Sequence, residues 1–344
     1  MEFRTVVLSY PPDRESLERF LGERGLSLDP DIDYAVACYD GAEIVGAGAL
    51  SGYVLKDIAV AVEAEGAGVA SAIVSHLLAE EGRRGLSHLF VFTRPAAEAT
   101  FVSLGFTVVA RVPQRVVLLE NREEGIEQYI AALGSERTTV PGISGSIVVN
   151  CNPFTLGHRY LIETAARECE VVHVFVVDEE RSLFPADVRF RLVQEGVAGL
   201  GNVEVHHGDK YIISAATFPS YFLKEPSEVV ATHALLDLTI FGGRIAPALG
   251  ITRRFVGEEP YCEVTGTYNQ IMQQLLPDFG IEVTVIPRLE RENAAISAST
   301  VRNAIRDDNL DLVRSLVPPS TYEFLISEEA MPIVRRIKTV NSRH

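Results

Sequence analysis

Apolar and polar residues alternate along this chain in two rhythms, one short and one helical. Residues 35–60, AVACYDGAEIVGAGALSGYVLKDIAV, are mostly apolar and are cut by a tight turn at Asp40–Gly41 and a second break at Ser51–Gly52. That pattern predicts successive strands. SAIVSHLLAEEGRRG follows, with Ile73, Val74, Leu77 and Leu78 at helical spacing and a terminating glycine, which predicts a helix. HLFVFT (88–93) reads as a strand, AAEATFVSLG as a short helix and FTVVARV as another strand. Polar residues then collect over 121–145, where REEGIEQYIAAL predicts a connecting helix and Pro141, Gly142 and Gly145 interrupt the chain.

Beyond that break, short and almost wholly apolar runs are each followed by a helical pattern. SIVVN leads to GHRYLIETAAREC, VVHVFVV (171–177) to ADVRFRLVQEGVAGL, and VEVHH (203–207) to an irregular stretch and LLDLTIFGGRIAPALG. After ITRRFVGEEP come a helix YNQIMQQLL, a strand IEVTVIP (281–287) and SASTVRNAI. Helical crossovers between doubly apolar strands predict a parallel sheet covered on both faces. The expected division is a domain over 1–120, a connecting helix and linker over 121–145, and a second domain over 146–344.

Composition narrows the function classes. Of 344 residues, 47% are hydrophobic and 23% charged, enough to bury a core, and the formal net charge is −16. So acidic a chain is a poor match for a nucleic acid, whose binding requires cations that displace counterions. Cys38, Cys151, Cys169 and Cys262 form no CxxC pair, so neither a zinc module nor a disulfide framework is expected. The N-terminal residues carry no apolar signal region, and no uninterrupted apolar run approaches the roughly 18 residues of a membrane span. A cytoplasmic protein without a membrane partner is expected.

The candidate chemistry lies at strand-to-helix junctions, since parallel sheets bind ligands beyond the carboxyl ends of their strands. In SIVVNCNPFTLGHRYLIETAA (146–166), the strand ends at Asn150, Pro153 stiffens the loop, and Gly157 removes a side chain where a helix opens. The first amides of that helix have no internal partner and face the positive end of its dipole. Thr155 adds a hydroxyl, and His158 an imidazole N–H in the first turn. This donor set suits a phosphate whose charge grows during reaction. A second junction, AISASTVRNAI, places Ser297, Ser299 and Thr300 at another helix start with Arg302 in its first turn. Two such sites fit a nucleoside triphosphate better than a monophosphate.

TLGH (155–158) resembles the HxGH/TxGH motif of the nucleotidyltransferase superfamily, with Thr155 in the place of the first histidine. ISASTVR (296–302) resembles its ISSTxxR-type signature, and LVRSLVPPSTYEFL the end of such domains. NCNPFTLGHRYLIE, RSLFPADVRF, DKYIISAATFPSYFLK, IAPALGITRRFVGEEP and VTGTYNQIM, in that order, are similar to the citrate lyase ligases. Residues 55–106 resemble the acyl-CoA-binding core of the GNAT acetyltransferases, whose Q/R-x-x-G-x-G/A loop corresponds to Glu65–Ala70, and TFVSLGF (100–106) resembles a later junction of that fold. Glu65 departs from the pattern by placing an anion where Gln or Arg stands.

The resemblance implies an α/β protein: an N-terminal GNAT-like α+β domain, then a Rossmann-like parallel-sheet nucleotidyltransferase domain. It also implies an enzyme, an acid–thiol ligase. ATP and acetate would give acetyl-AMP and pyrophosphate, and the acetyl group would pass to the thiol of a CoA-like prosthetic group on the citrate lyase acyl carrier subunit. By resemblance His158, Thr155 and Arg302 are catalytic. Asn150, Asn152, Pro153, Phe154, Gly157, Gly257, Ser297 and Ser299 bind ATP, and Mg²⁺ accompanies it with ligands the sequence does not identify. Ser214, Thr217, Tyr221 and Lys224 either line the acetate or phosphate pocket or are turn residues with a solvated lysine. Glu258 and Glu259 are candidate magnesium ligands, and His206 and His207 are expected at the surface. Three other readings stand beside the ligase. The first is a plain pantetheine-phosphate or nicotinamide-mononucleotide adenylyltransferase, for which Lys224, Arg189 and Arg191 are the candidate extra cations. The second is a ligase for another acyl carrier, and the third an idle GNAT-like module fused to a nucleotide sensor.

Overall fold

The computed structural model describes residues 1–136, 142–180, 182–218, 227–259, 262–291 and 294–339. By its contacts the chain divides into two compact units, Met1–Ile126 and Glu127–His344.

The first unit is built on a seven-stranded sheet of order β1-β2-β3-β4-β5-β7-β6. The strands are β1 (Glu2–Thr5), β2 (Tyr34–Asp40), β3 (Glu43–Ser51), β4 (Val54–Val60), β5 (Phe90–Thr93), β6 (Thr107–Val112) and β7 (Val116–Glu120). All neighbours are antiparallel except β4 and β5. The turns predicted at Asp40–Gly41 and Ser51–Gly52 join β2, β3 and β4. The segment corresponding to the GNAT loop lies between β4 and the helix Val69–Arg83, and Gly66 and Gly68 have φ of 76° and 78°, a left-handed backbone that glycine adopts without steric cost. Val69, Ile73, Val74 and Leu77 of that helix enter a core shared with β2 and β3. β1, β7 and the helix Pro11–Gly22 are additions to the elements read from the sequence.

The second unit is a five-stranded sheet of order β10-β9-β8-β11-β12, parallel at every pairing. Its strands are β8 (Ser144–Val149), β9 (Val171–Val176), β10 (Val203–His207), β11 (Arg253–Gly257) and β12 (Glu282–Ile286). Helices alternate with them, as the apolar runs predict. Ile147, Val149, Val172, Val174 and Val176 face one core together with Ile162, Leu192, Val301 and Ile305 from helices. Period-two alternation turns Ser146, His173 and Phe175 to the opposite face. There Phe175 meets Phe241 edge-on, with ring centroids 6.1 Å apart. The helical run Glu228–Leu249 is long and apolar enough to cross a membrane by composition, but 61% of its apolar window is buried within the protein. Packing explains its hydrophobicity.

Candidate functional site: a double helix start at the switch point

The strand order places the site. The chain starts the second sheet at its centre with β8, moves outward through β9 to β10, then returns to the other side of β8 with β11. Connections therefore leave β8 and β11 in opposite directions, which opens a crevice at their carboxyl ends, where open α/β sheets bind ligands. Residues 150–155 emerge from β8 at this point, and Gly257 ends β11.

Thr155 caps the helix Leu156–Glu168, and the cap is reciprocal. Its hydroxyl accepts from the His158 amide at 3.4 Å, while its own amide donates to His158 Nδ1 at 3.1 Å. Thr155 Oγ1 also lies 3.0 Å from Nδ1. With Nδ1 accepting, the ring proton resides on Nε2. Desolvation, with the Arg288 cation adding to it, pushes the imidazole pKa from 6.5 down to about 4. His158 is therefore a neutral donor at physiological pH. Thr155 is 1% exposed. Its hydroxyl oxygen accepts in the cap and so helps to orient the histidine. Phe154 is fully buried and its ring stacks on His158 at 5.9 Å. It supports the imidazole from the core.

The loop beneath is held by a buried guanidinium. Arg189 donates through Nε to Phe184 O (3.0 Å), through Nη1 to the Asn150 carbonyl and side-chain oxygens (3.1 and 2.9 Å) and to Val177 O, and through Nη2 to Glu179 O (2.9 Å). Its donors are turned to oxygens of the chain itself, so it is a structural staple and not the extra phosphate cation considered from sequence. Arg191 pairs with Glu329 at 2.7 Å. Asn150 also exchanges hydrogen bonds with Ser182, and Asn152, 4% exposed, accepts from the Phe184 amide at 3.1 Å. The Asn152–Pro153 peptide is cis.

The second motif opens the helix Ala298–Arg306. Ser297 caps it by accepting from the Thr300 amide at 3.1 Å. Arg302 is 3% exposed and reaches back to the first motif, donating to the Asn152 carbonyl at 2.6 Å and to Ser299 Oγ at 3.3 Å. Burial lowers its pKa to about 10, with Arg306 contributing, and it stays cationic. Gly157 completes the junction: a Cβ there would stand 2.7 Å from the Ile296 carbonyl oxygen. Only glycine allows the two helix starts this separation.

Gly257 ends β11 with its carbonyl accepting from Asn269 Nδ2 at 3.2 Å, and a Cβ there would meet nothing within 4 Å. Glu259 is engaged by Arg288 at 2.6 Å, and the same arginine donates to the Glu258 carbonyl at 2.8 Å. Arg288 is the residue that sequence reasoning missed. Its only signal is its place two residues beyond β12, at the same end of the sheet.

Ser214 and Thr217 are buried, and both bond within the chain. Thr217 donates to Asp237 at 2.8 Å, Ser214 donates to the Lys210 carbonyl at 2.6 Å, and Asp237 also accepts from the Ile213 amide and Tyr268. These contacts favour the turn-residue alternative over the pocket. Tyr221 and Lys224 lie outside the described residues. His206 is 5% exposed, contrary to the surface position expected, because its side chain faces the sheet interior beside His173, whereas His207 is exposed.

A fully parallel sheet with two capped helix starts at its switch point defines a Rossmann-like α/β domain. Residues 144–325 match the family described as citrate lyase ligase C-terminal domain. The [citrate [pro-3S]-lyase] ligase of Klebsiella pneumoniae is 43% identical over 94% of this chain and 95% of its own length, and that of Escherichia coli 39% over 94% and 93%. The chain belongs to the citrate lyase ligase family. Among solved structures the likenesses are loose. Thermotoga maritima TmcAL bound with alpha-thio ATP matches 56% of this chain and 57% of its own at 15% identity and a TM-score of 0.38. Escherichia coli ElaA matches 35% and 99% at 14% identity and 0.32.

Proposed function

We propose that this chain is an ATP-dependent ligase that activates acetate as acetyl-AMP and acetylates the CoA-like thiol of the citrate lyase acyl carrier subunit, in the cytoplasm. The observation that carries the reading is the identity with [citrate [pro-3S]-lyase] ligases over nearly the full length of both chains.

The geometry supports the first half-reaction. Acetate is ionised at pH 7, so its attack on the α-phosphorus needs no base. One carboxylate oxygen forms a bond to phosphorus while the bond to the β-phosphate oxygen breaks and pyrophosphate leaves. What remains for the protein is positioning and stabilisation of developing charge. His158 Nε2–H and the first amides of Leu156–Glu168 would serve the α-phosphate, with Thr155 setting the ring. Ser297, Ser299 and Arg302 would serve the β and γ phosphates, and Arg288 adds a cation at the same edge. The open space above Gly257 suits a nucleoside. Magnesium would arrive on the phosphate oxygens of ATP. Among the described residues no group of three metal-ligating side chains stands at this edge, and Glu259 is already paired, so no step is assigned to protein-bound metal.

In the second half-reaction the thiol sulfur bonds to the acetyl carbon, the bond from that carbon to the phosphate oxygen breaks, AMP departs and the thiol proton is released to solvent. The GNAT-like unit would hold the CoA-like arm through the Glu65–Ala70 loop. Gly68→Val in that loop is expected to slow transfer to the carrier and leave adenylate formation intact; unchanged transfer would remove this role.

Acetate-dependent ATP–pyrophosphate exchange tests the whole reading, with propionate, malonate and phosphopantetheine as comparison substrates. Exchange with acetate, stimulated or followed by acetylation of holo-carrier, is expected. Exchange with phosphopantetheine alone would move the chain to the plain nucleotidyltransferases.

A further inference from the structure

On the face of the second sheet opposite the main core, β9 and β10 bring three metal-ligating side chains to one point. The parallel register pairs Glu204 with His173, and His206 follows Glu204 by one period of the strand. All three therefore project to the same side. His173 Nδ1 lies 3.0 Å from His206 Nε2 and 3.2 Å from Glu204 Oε2, and His206 Nε2 lies 3.8 Å from Glu204 Oε2. The three atoms close a triangle.

We propose that His173, Glu204 and His206 form a binding site for a divalent transition metal of the zinc(II) class, clipping the edge strand β10 to β9. Zinc takes nitrogen at about 2.0–2.1 Å and carboxylate oxygen at about 2.0–2.2 Å in a tetrahedron, which sets ligand-to-ligand edges of roughly 3.3–3.5 Å. The observed edges straddle that range. A hydrogen-bonded relay would instead run as an open chain, with each proton serving one neighbour. Glu204 supplies a second observation. Its Oε2 is shielded from solvent and makes no hydrogen bond among the described residues, although it is turned toward both rings. Burying a carboxylate oxygen that way is costly unless a cation compensates it. His173 is fully buried and His206 5% exposed, so the donors are held by packing before any ion enters. Two imidazoles and one carboxylate favour zinc, cobalt or nickel over magnesium, which prefers oxygen throughout. Three protein ligands leave a fourth position for water on the half-buried Glu204 side. The site is separate from the ATP site, which lies beyond the carboxyl ends of β8 and β11.

The test is titration of chelator-stripped, full-length protein with Zn²⁺ by calorimetry, and with Co²⁺ as a visible probe of tetrahedral coordination. One Zn²⁺ per chain is expected, undisturbed by excess Mg²⁺. Glu204→Gln, at a partly exposed position that preserves shape, should weaken binding at least about tenfold, and His206→Gln should weaken it further. Circular dichroism establishes that each variant is folded. Zn²⁺ should also raise the melting temperature of the wild type and not that of Glu204→Gln. No stoichiometric Zn²⁺ in the wild type would overturn the proposal. So would binding unchanged by Glu204→Gln, since the ion would then sit elsewhere, for example at Asp178 and His207, whose atoms are 2.7 Å apart.

Discussion

Replacing Gly157 by alanine is the sharpest probe of the double helix start. The added methyl would sit 2.7 Å from the Ile296 carbonyl oxygen, a backbone atom one residue ahead of the Ser297 cap. A relaxed carbon–oxygen contact is about 3.3–3.6 Å, so the two starts must separate by roughly 0.6–0.9 Å. Overpacking of this kind costs about 1–3 kcal/mol, against a gain of up to about 1 kcal/mol from alanine's better helix propensity. The net change leaves the fold intact. Catalysis is more sensitive, because a misplacement near 1 Å costs about a hundredfold in rate. Acetate-dependent pyrophosphate exchange should therefore fall by about 10- to 100-fold in kcat, with a raised KM for ATP and a melting temperature within a few degrees of wild type. Gly134→Ala is the control. It lies in the helix Gly125–Glu136, where an added methyl meets nothing within 4 Å, and it should leave exchange unchanged. Wild-type kcat and KM in the Gly157 variant would refute the claim that the spacing of the two motifs matters.

Three further outcomes are expected. His158→Gln should lower exchange by about two orders of magnitude or more. It should also flatten the stability–pH profile. The native imidazole stays neutral down to about pH 4 while the unfolded one protonates near 6.5. Wild-type stability should therefore fall as pH drops through that window, by up to about 3 kcal/mol at pH 4, and urea denaturation across pH 4–7 measures the difference. Arg302→Lys keeps the charge but gives up the two-pronged reach to Asn152 O and Ser299. A tenfold or greater rise in KM for ATP is expected, and unchanged steady-state kinetics would mean the guanidinium geometry is dispensable. Thr217→Val removes a buried bond to Asp237 and should cost about 1–3 kcal/mol in stability. Its KM for acetate should be unchanged; a selective rise without loss of stability would return Thr217 to the substrate pocket.

Much of this protein is legible one segment at a time. The almost wholly apolar runs at 146–149 and 171–177 mark buried parallel strands because each residue there must satisfy a covered face, whereas the edge strands at 203–207 and 281–287 stay partly exposed. The caps at Thr155 and Ser297 are legible because capping acts across three residues and a short polar side chain suffices. Hence the candidate site was visible as two separate helix starts. β7, by contrast, is missing from the sequence reading although Pro113–Arg115 and Asn121 bound VVLLE; its pairing with both β5 and β6 is settled by the sheet.

Tertiary structure decided what those local pieces do together. Nothing within a few residues of Gly157 says that its missing side chain faces the Ile296 carbonyl, or that Arg302 reaches Asn152; both follow from β8 standing at the centre of the sheet with β11 beside it. The same distant packing brings Arg288 to His158 and spends the donors of Arg189, Ser214 and Thr217 inside the chain. It also makes neighbours of His173 and His206, because register between strands is set by the packing of whole faces and not by the residues being paired. The sequence by itself determines which residues can bind a phosphate or a metal; the fold determines which of them share a point in space.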